Sequence, residues 1–325
     1  MPAVAFEHVS KRYSTGEHAA VKDCTLLVET GAFVVLLGPS GCGKTTLLKM
    51  VNRLIEPSEG RITVDGEDIH SLPETALRRR IGYVIQQVGL FPHMSVEQNI
   101  AVVPRLLHWP KERTSERTDA LLELVGLPPD EYRRRRPREL SGGQQQRVGL
   151  ARAIAADPAI LLMDEPFGAI DAITRARLQD ELLRIQAQVR KTVLFVTHDV
   201  EEALRLADVL VVMREGRILQ AAHPRTILSQ PADPFVAELV GASDLLRRLS
   251  LIPIGETMHP LPTGKPAELP IIERRESLRA ALAKLLDSGG QSLIVVDSGV
   301  PAGLIELSDI YAAARQAPSA EALPA

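Results

Sequence analysis

The chain is poor in the features that would place a protein outside the cell or across a membrane. Its 325 residues hold only two cysteines, Cys24 and Cys42. That is too few for a disulfide framework and favours a reducing compartment. No apolar run approaches the roughly 20 residues that a helix needs to cross a bilayer. Any membrane association is therefore expected to be peripheral and through a partner. The start, Met1-Pro2-Ala3-Val4, lacks the basic opening and long apolar core of a secretion signal. Charge of one sign is missing too: 38 basic and 41 acidic side chains leave a formal net charge of −3. Nothing in that balance calls for a nucleic acid as partner. What remains is ordinary for a cytosolic globular protein, with 45% hydrophobic and 24% charged residues. The length favours two domains, or one large domain with an appendage.

Against that plain background one stretch stands out, Gly38-Pro39-Ser40-Gly41-Cys42-Gly43-Lys44-Thr45-Thr46. It follows an apolar run at 32–37 that reads as a buried strand. It opens into residues 45–55, where Leu47, Leu48, Val51, Leu54 and Ile55 have helical spacing. Strand, glycine-rich turn and helix together make the pattern G-x-x-x-x-G-K-[ST] a phosphate-binding loop. Successive backbone N–H groups and the positive end of the helix form a concave anion site. Lys44 reaches the outer phosphates, and the Thr45 hydroxyl is placed to ligate Mg²⁺. Cys42 sits in that same positive nest, which favours a thiolate if it is more than a small filler.

The remainder of the first 240 residues alternates strands and helices. Short strands are expected at 4–13, 20–28, 61–69 and 80–86, with a turn signal at Asp65-Gly66. Residues 95–157 are helix-rich and broken by prolines. The apolar runs 159–163 and 192–197 suit central parallel strands, joined by an amphipathic helix over 172–189. Two more strands are expected at 209–213 and 217–220 around Glu215-Gly216. This order implies an α/β domain with a largely parallel sheet.

A second group of motifs narrows the reading. Leu140-Ser141-Gly142-Gly143-Gln144-Gln145-Gln146-Arg147 precedes a helical run. Ile160-Leu161-Leu162-Met163-Asp164-Glu165-Pro166 follows it, then Gly168-Ala169-Ile170-Asp171, then Thr197-His198-Asp199. In this order the set closely resembles the ATP-binding cassette (ABC) ATPases that power membrane transporters, over residues 1 to about 240. Asp164 closes an apolar strand, which puts a carboxylate beside the phosphate loop to hold Mg²⁺. Glu165 points elsewhere and is the candidate general base for the attacking water. The resemblance implies that His198 contacts the γ-phosphate of ATP and that Gln86 approaches Mg²⁺ and water. It also implies that Tyr13 stacks on adenine. Residues 38–46 with Ser141, Gly142, Gly143, Gln144 and Asp171 would complete the ATP site. Two anion cradles in one chain imply a head-to-tail homodimer, in which the Ser-Gly-Gly of one copy closes on the ATP of the other. Asp171 would sit at that interface. Integral-membrane permease subunits would dock near Gln86, where Trp109 also lies, and the run of arginines at 133–136 faces either solvent or anionic lipid. The fold implied is a P-loop α/β cassette with an antiparallel β subdomain and a helical subdomain.

The stretches 81–94 and 99–104 look most like the ATPase subunits of osmoprotectant importers, whose solutes are glycine betaine, carnitine and choline. Such a subunit would lie on the cytoplasmic face of the membrane, and an extracytoplasmic binding protein would deliver the solute to its permease. Importer ATPases for amino acids, polyamines or sugars remain an alternative. So does a soluble cassette ATPase without a membrane partner, although there is one cassette and no heptad array. The cassette is expected at 1–242, a linker at 243–270 and a small α/β unit at 271–315, with a start as early as 256. Residues 316–325 read as a flexible tail. The small unit resembles a single CBS motif through Leu293-Ile294-Val295-Val296-Asp297, Gly303-Leu304-Ile305 and Asp309-Ile310. Such motifs usually come in pairs. A lone one exposes apolar surface, which leads to the hypothesis that it pairs with its copy in a second subunit and senses ionic strength or a nucleotide.

Overall fold

The computed structural model describes residues 1–13, 19–85, 89–168, 170–261 and 269–315. Gln86, Ala169, part of the expected linker (262–268) and the expected tail (316–325) lie outside them. The chain divides into two compact units, Met1–Ala221 and Ala222–Ala325.

The first unit contains two sheets. An antiparallel one has the order β2-β1-β4-β5, from β1 (Val4–Lys11), β2 (Val21–Val28), β4 (Glu59–Val64) and β5 (Glu67–Asp68). The stretch expected as one strand at 61–69 is thus a hairpin. Asp65 and Gly66 at its tip take φ values of +49° and +79°, the pair of left-handed conformations that a two-residue hairpin turn requires.

The other sheet runs β10-β9-β3-β8-β7-β6, from β3 (Phe33–Leu37), β6 (Ile81–Val84), β7 (Ile160–Asp164), β8 (Thr192–Thr197), β9 (Val209–Arg214) and β10 (Arg217–Ala222). The pairs β3–β8, β3–β9, β6–β7 and β7–β8 are parallel. Every residue of β3, β7 and β8 is buried, as expected for strands covered on both faces.

Helices supply the crossovers. α1 (Lys44–Val51) follows β3, and α2 (Glu74–Arg80) precedes β6. Between β6 and β7 lie α3 (Val96–Ile100), α4 (Val102–Leu106), α5 (Lys111–Leu124), α6 (Pro129–Tyr132) and α7 (Gly142–Ile154). α8 (Ala172–Val189) links β7 to β8, and α9 (Val200–Leu206) links β8 to β9. α1 ends four residues before its apolar spacing does, because Arg53 turns left-handed at φ +53°. There its guanidinium donates to the carbonyls of Ile69 and Leu72. Leu47, Leu48 and Val51 of α1 pack with Leu36, Leu162, Leu194 and Val196 of the sheet, which fixes the start of α1 over the strand ends. Arg133 is not a free surface charge. It donates to Glu97, Asp119 and Ser115 at 2.6–2.7 Å and ties the helical elements together.

The second unit carries α10 (Pro224–Ser229), α11 (Pro234–Val240) and α12 (Leu245–Ser250), then β11 (Ile271–Glu273), α13 (Leu278–Ser288), β12 (Ser292–Asp297), β13 (Val300–Glu306) and α14 (Leu307–Arg315). Its sheet has the order β11-β12-β13, parallel then antiparallel. Leu249 of α12 and Ile254 share one core with Leu278, Leu285, Leu293, Val295 and Ile305. Ser277 caps α13 by accepting from the Ala280 N–H. Ser308 has a hydroxyl suited to an N-cap at the start of α14 but does not cap it. The helix already begins at Leu307, and the Ser308 hydroxyl donates to Glu306 instead. Among the described residues no helix is long and apolar enough to cross a membrane.

Candidate active site

β3 delivers its C-terminal end into the loop 38–43, and two glycines there are required by space. A Cβ at Gly38 would lie 2.2 Å from the Met213 carbonyl oxygen, and one at Gly43 would lie 2.3 Å from that of Ala20. Gly43 also sits at φ +105°, a conformation that side chains resist. The loop is therefore wedged between β9 and the start of β2. Lys44 is buried, and its ammonium donates to the carbonyls of Gly38 at 2.7 Å and Pro39 at 3.0 Å. That puts one positive charge inside the concavity. The Cys42 thiol is also buried, 3.8 Å from the Lys44 nitrogen.

β7 ends beside this loop. The Thr45 hydroxyl donates to Asp164 Oδ1 at 2.8 Å, and Lys49 Nζ stands 3.8 Å from Oδ2. Hydroxyl and carboxylate are two oxygen donors side by side, the type a hard dication prefers. Among the described residues no cluster of three or more His, Cys, Asp or Glu could hold a metal alone. Thr45 and Asp164 would hold a small dication here, with phosphate and water as its further ligands, as in phosphoryl-transfer sites. The residues present thus fit MgATP.

Glu165, next in the chain, turns away from Asp164 because its backbone is left-handed, φ +44°. Such a conformation in a glutamate costs on the order of 1 kcal/mol. It is held by the Glu165 N–H, which donates to the Val196 carbonyl at 3.0 Å, and by the Glu165 carbonyl, which accepts from Gly168 N–H at 3.2 Å. The turn brings Glu165 Oε2 to 3.2 Å from His198 Nδ1. His198 is exposed at the end of β8. Four of the sequence candidates, Thr45, Asp164, Glu165 and His198, therefore converge on the strand ends beside the loop.

Other candidates lie in separate places. Ser141 is the N-cap of α7 in a capping box, where its Oγ accepts from Gln144 N–H at 3.3 Å and Gln144 Oε1 accepts from Ser141 N–H at 2.9 Å. The hydroxyl proton remains available to donate, whereas the Gln144 side chain is engaged in the box and with Tyr132. Gly143 lets α7 approach α8: a Cβ there would come to 3.3 Å from the Thr174 methyl. Asp171 caps α8 by accepting from Thr174 N–H at 3.0 Å, and this bond holds its carboxyl below the usual carboxylate range. The Ser-Gly-Gly turn and the Asp171 turn are thus neighbours, yet among the described residues no hydrogen bond or ion pair joins either to the phosphate loop. Tyr13, two residues beyond β1, is 42% exposed, with Lys11 Nζ 5.3 Å from the ring centre. Gln86 falls outside the described residues.

Sequence reasoning missed three groups. Lys49 stands one helical turn after Thr45, so the i, i+4 spacing alone could have flagged it. Tyr83 on β6 pairs with Leu162. Its hydroxyl is buried without a hydrogen-bond partner among the described residues, and burial followed by the Asp164 charge keeps it protonated. Arg175 bridges two loops, as described below.

The family model described as "ABC transporter" matches residues 21–168. The glycine betaine/carnitine/choline transport ATP-binding protein OpuCA of Bacillus subtilis is 48% identical over 90% of this chain and 74% of its own length. The glycine betaine uptake system ATP-binding protein YehX of Escherichia coli is 47% identical over 94% of this chain and 98% of its own. A dimeric ATP-binding cassette in a post-hydrolysis state, with ADP and Pi bound, superposes with a TM-score of 0.61 at 31% identity. That match covers 68% of this chain and 98% of that one. This chain belongs to the ATP-binding proteins of ABC transporters, ATPases that use ATP with Mg²⁺.

Proposed function

We propose that the chain is the ATP-hydrolysing subunit of an importer for quaternary ammonium osmoprotectants such as glycine betaine, choline and carnitine. The observation that carries the site assignment is the convergence of Thr45, Asp164, Glu165 and His198 at the strand ends beside one glycine-rich loop. Loop N–H groups and the Lys44 ammonium bind the phosphates of ATP. Mg²⁺, held by Thr45 and Asp164, would neutralise charge on the outer phosphates. Glu165 accepts the proton of the attacking water as general base. His198, 3.2 Å from it, orients that carboxylate and reaches the γ-phosphate. Gln86 approaches the same water, and Tyr13 stacks on adenine.

The site is completed by a second copy. A Ser141 hydroxyl that accepts within its own helix cap still has a proton to donate to a phosphate across the interface. Gly142, Gly143 and Gln144 stand at the same helix start, and Asp171 lies beside them in the closing pair. The dimeric, ADP-bound relative supports this arrangement. Two permease subunits receive the motion, and an extracytoplasmic binding protein feeds them, so the chain works at the cytoplasmic face of the membrane.

Kinship supports the solute. The alignments with the Bacillus subtilis and Escherichia coli proteins span 90% and 94% of the chain and so run into the second unit. The order β11, α13, β12, β13, α14 suits a CBS motif, and exposed Leu286, Val300 and Tyr311 suit pairing with its copy. Uptake of labelled glycine betaine, choline and carnitine in a strain lacking this chain, with and without the chain restored, tests the solute. Restored uptake of none of the three overturns it.

A further inference from the structure

Arg175 closes a circuit around the site. Its Nη1–H donates to Asp199 Oδ2 at 3.0 Å, and its Nη2–H donates to the Ile170 carbonyl at 3.0 Å. Both acceptors adjoin candidate functional residues: Ile170 precedes Asp171, and Asp199 follows His198. Neither is loosely held. Asp199 uses its other oxygen to cap α9 by accepting from Glu202 N–H at 3.2 Å, and its own N–H donates to Thr197 Oγ1 at 3.0 Å. Ile170 N–H donates to the Phe167 carbonyl at 3.2 Å, two residues beyond Glu165. With His198 3.2 Å from Glu165, the contacts run from Glu165 along its loop to Ile170. They pass through Arg175 to Asp199 and return through His198.

We propose that Arg175 is a positioning residue for the ATPase, coupling the loop that carries Asp171 to the turn that carries His198. This rests on the reading of Glu165 and His198 as groups that act on ATP. A guanidinium suits the task because its planar fork can hold two acceptors in fixed relation, which a lysine ammonium cannot do with the same geometry. The Nε–H is buried and has no partner among the described residues. The fork therefore keeps a spare donor with which to follow a loop that shifts. A shift at Asp171, the turn nearest Ser141, then reaches the histidine without passing through bound nucleotide. The bland alternative is a half-exposed ion pair between α8 and α9, which contributes little to stability and nothing to turnover.

The two accounts separate in the full-length chain. Arg175→Ala should lower kcat about tenfold while leaving nucleotide affinity, read by a fluorescent ATP analogue, within about twofold. Arg175→Lys should recover part of the loss. In a His198→Ala background the same Arg175→Ala change should have little further effect, because it acts through that ring. Arg175→Gln gives the same comparisons if the alanine variant does not fold. The proposal is overturned by a kcat within about twofold of the unmodified chain, by an equal loss of nucleotide affinity, or by full additivity with His198→Ala. If instead Glu165→Gln and His198→Ala leave ATP hydrolysis intact, it is the assignment of the catalytic groups that fails.

Discussion

Both units are built on apolar cores, but they differ in what stands at the surfaces on which their proposed roles rest. In Met1–Ala221 the candidate residues stand at strand ends or in the helices beside them, and each is fixed by polar bonds from a neighbouring strand or helix. Thr45 meets Asp164, Glu165 leans on Val196, and Arg175 spans Ile170 and Asp199. In Ala222–Ala325 the order comes from a small apolar core around Leu278, Leu285, Leu293 and Ile305, while Ile271, Leu286, Val300 and Tyr311 face outward. Polar fixing gives directional, switchable geometry at little net stability per bond. Apolar packing gives stability without direction. On the proposed reading, directional polar geometry serves the chemistry of the first unit, and the exposed apolar side chains of the second serve association.

The largest expected effect breaks the first side of that contrast. Glu165→Gln keeps shape and removes the base, so phosphate release should fall by about 10²-fold or more while ATP still binds. Retention of more than about a tenth of the rate, a barrier change below ~1.4 kcal/mol, would argue that another group takes the proton.

A mutation in the second unit should do the reverse. Leu285→Ala removes a side chain that is 1% exposed and should destabilise that unit by roughly 2–5 kcal/mol. ATP hydrolysis at a temperature where the variant is folded should stay within about twofold. Thermal unfolding followed beside ATPase assays reads both numbers. A matched loss of activity would mean that the core of the second unit supports the site. The smallest effect is expected at its surface. Replacing Leu286 and Tyr311, 70% and 59% exposed, by serine should weaken nucleotide-independent self-association by a few-fold. The same change should blunt the response of transport to salt. Unchanged sedimentation and unchanged salt response together would remove the pairing idea.

Much of the fold was legible because local signals agreed with the final packing. The helix over 172–189 and the strand over 192–197 appear at the expected residues. Asp171 marks the helix start, and apolar, branched runs bounded by turns mark the strands. The misses have a common cause. Apolar spacing continues past Val51, but Arg53 makes long-range bonds that stop the helix. Ser308 has the chemistry of a cap, but Leu307 is already helical and Glu306 takes its hydroxyl. The glycine loop, Asp164 and Glu165 could be found because spacing along one segment defines them. Arg175 could not, since its acceptor Asp199 is 24 positions away and no local pattern records the pairing.

The left-handed backbone at Glu165 also sets a limit on how this protein can be improved. Glycine would relax that turn, and the chain would gain stability from a change that removes the proposed proton acceptor. Selection for heat resistance alone would thus draw the site toward inactivity. The tension is local: it is stored at one peptide between β7 and its loop and held there by the Val196 carbonyl. Stabilising substitutions are better sought away from this peptide, where firmness and turnover do not compete.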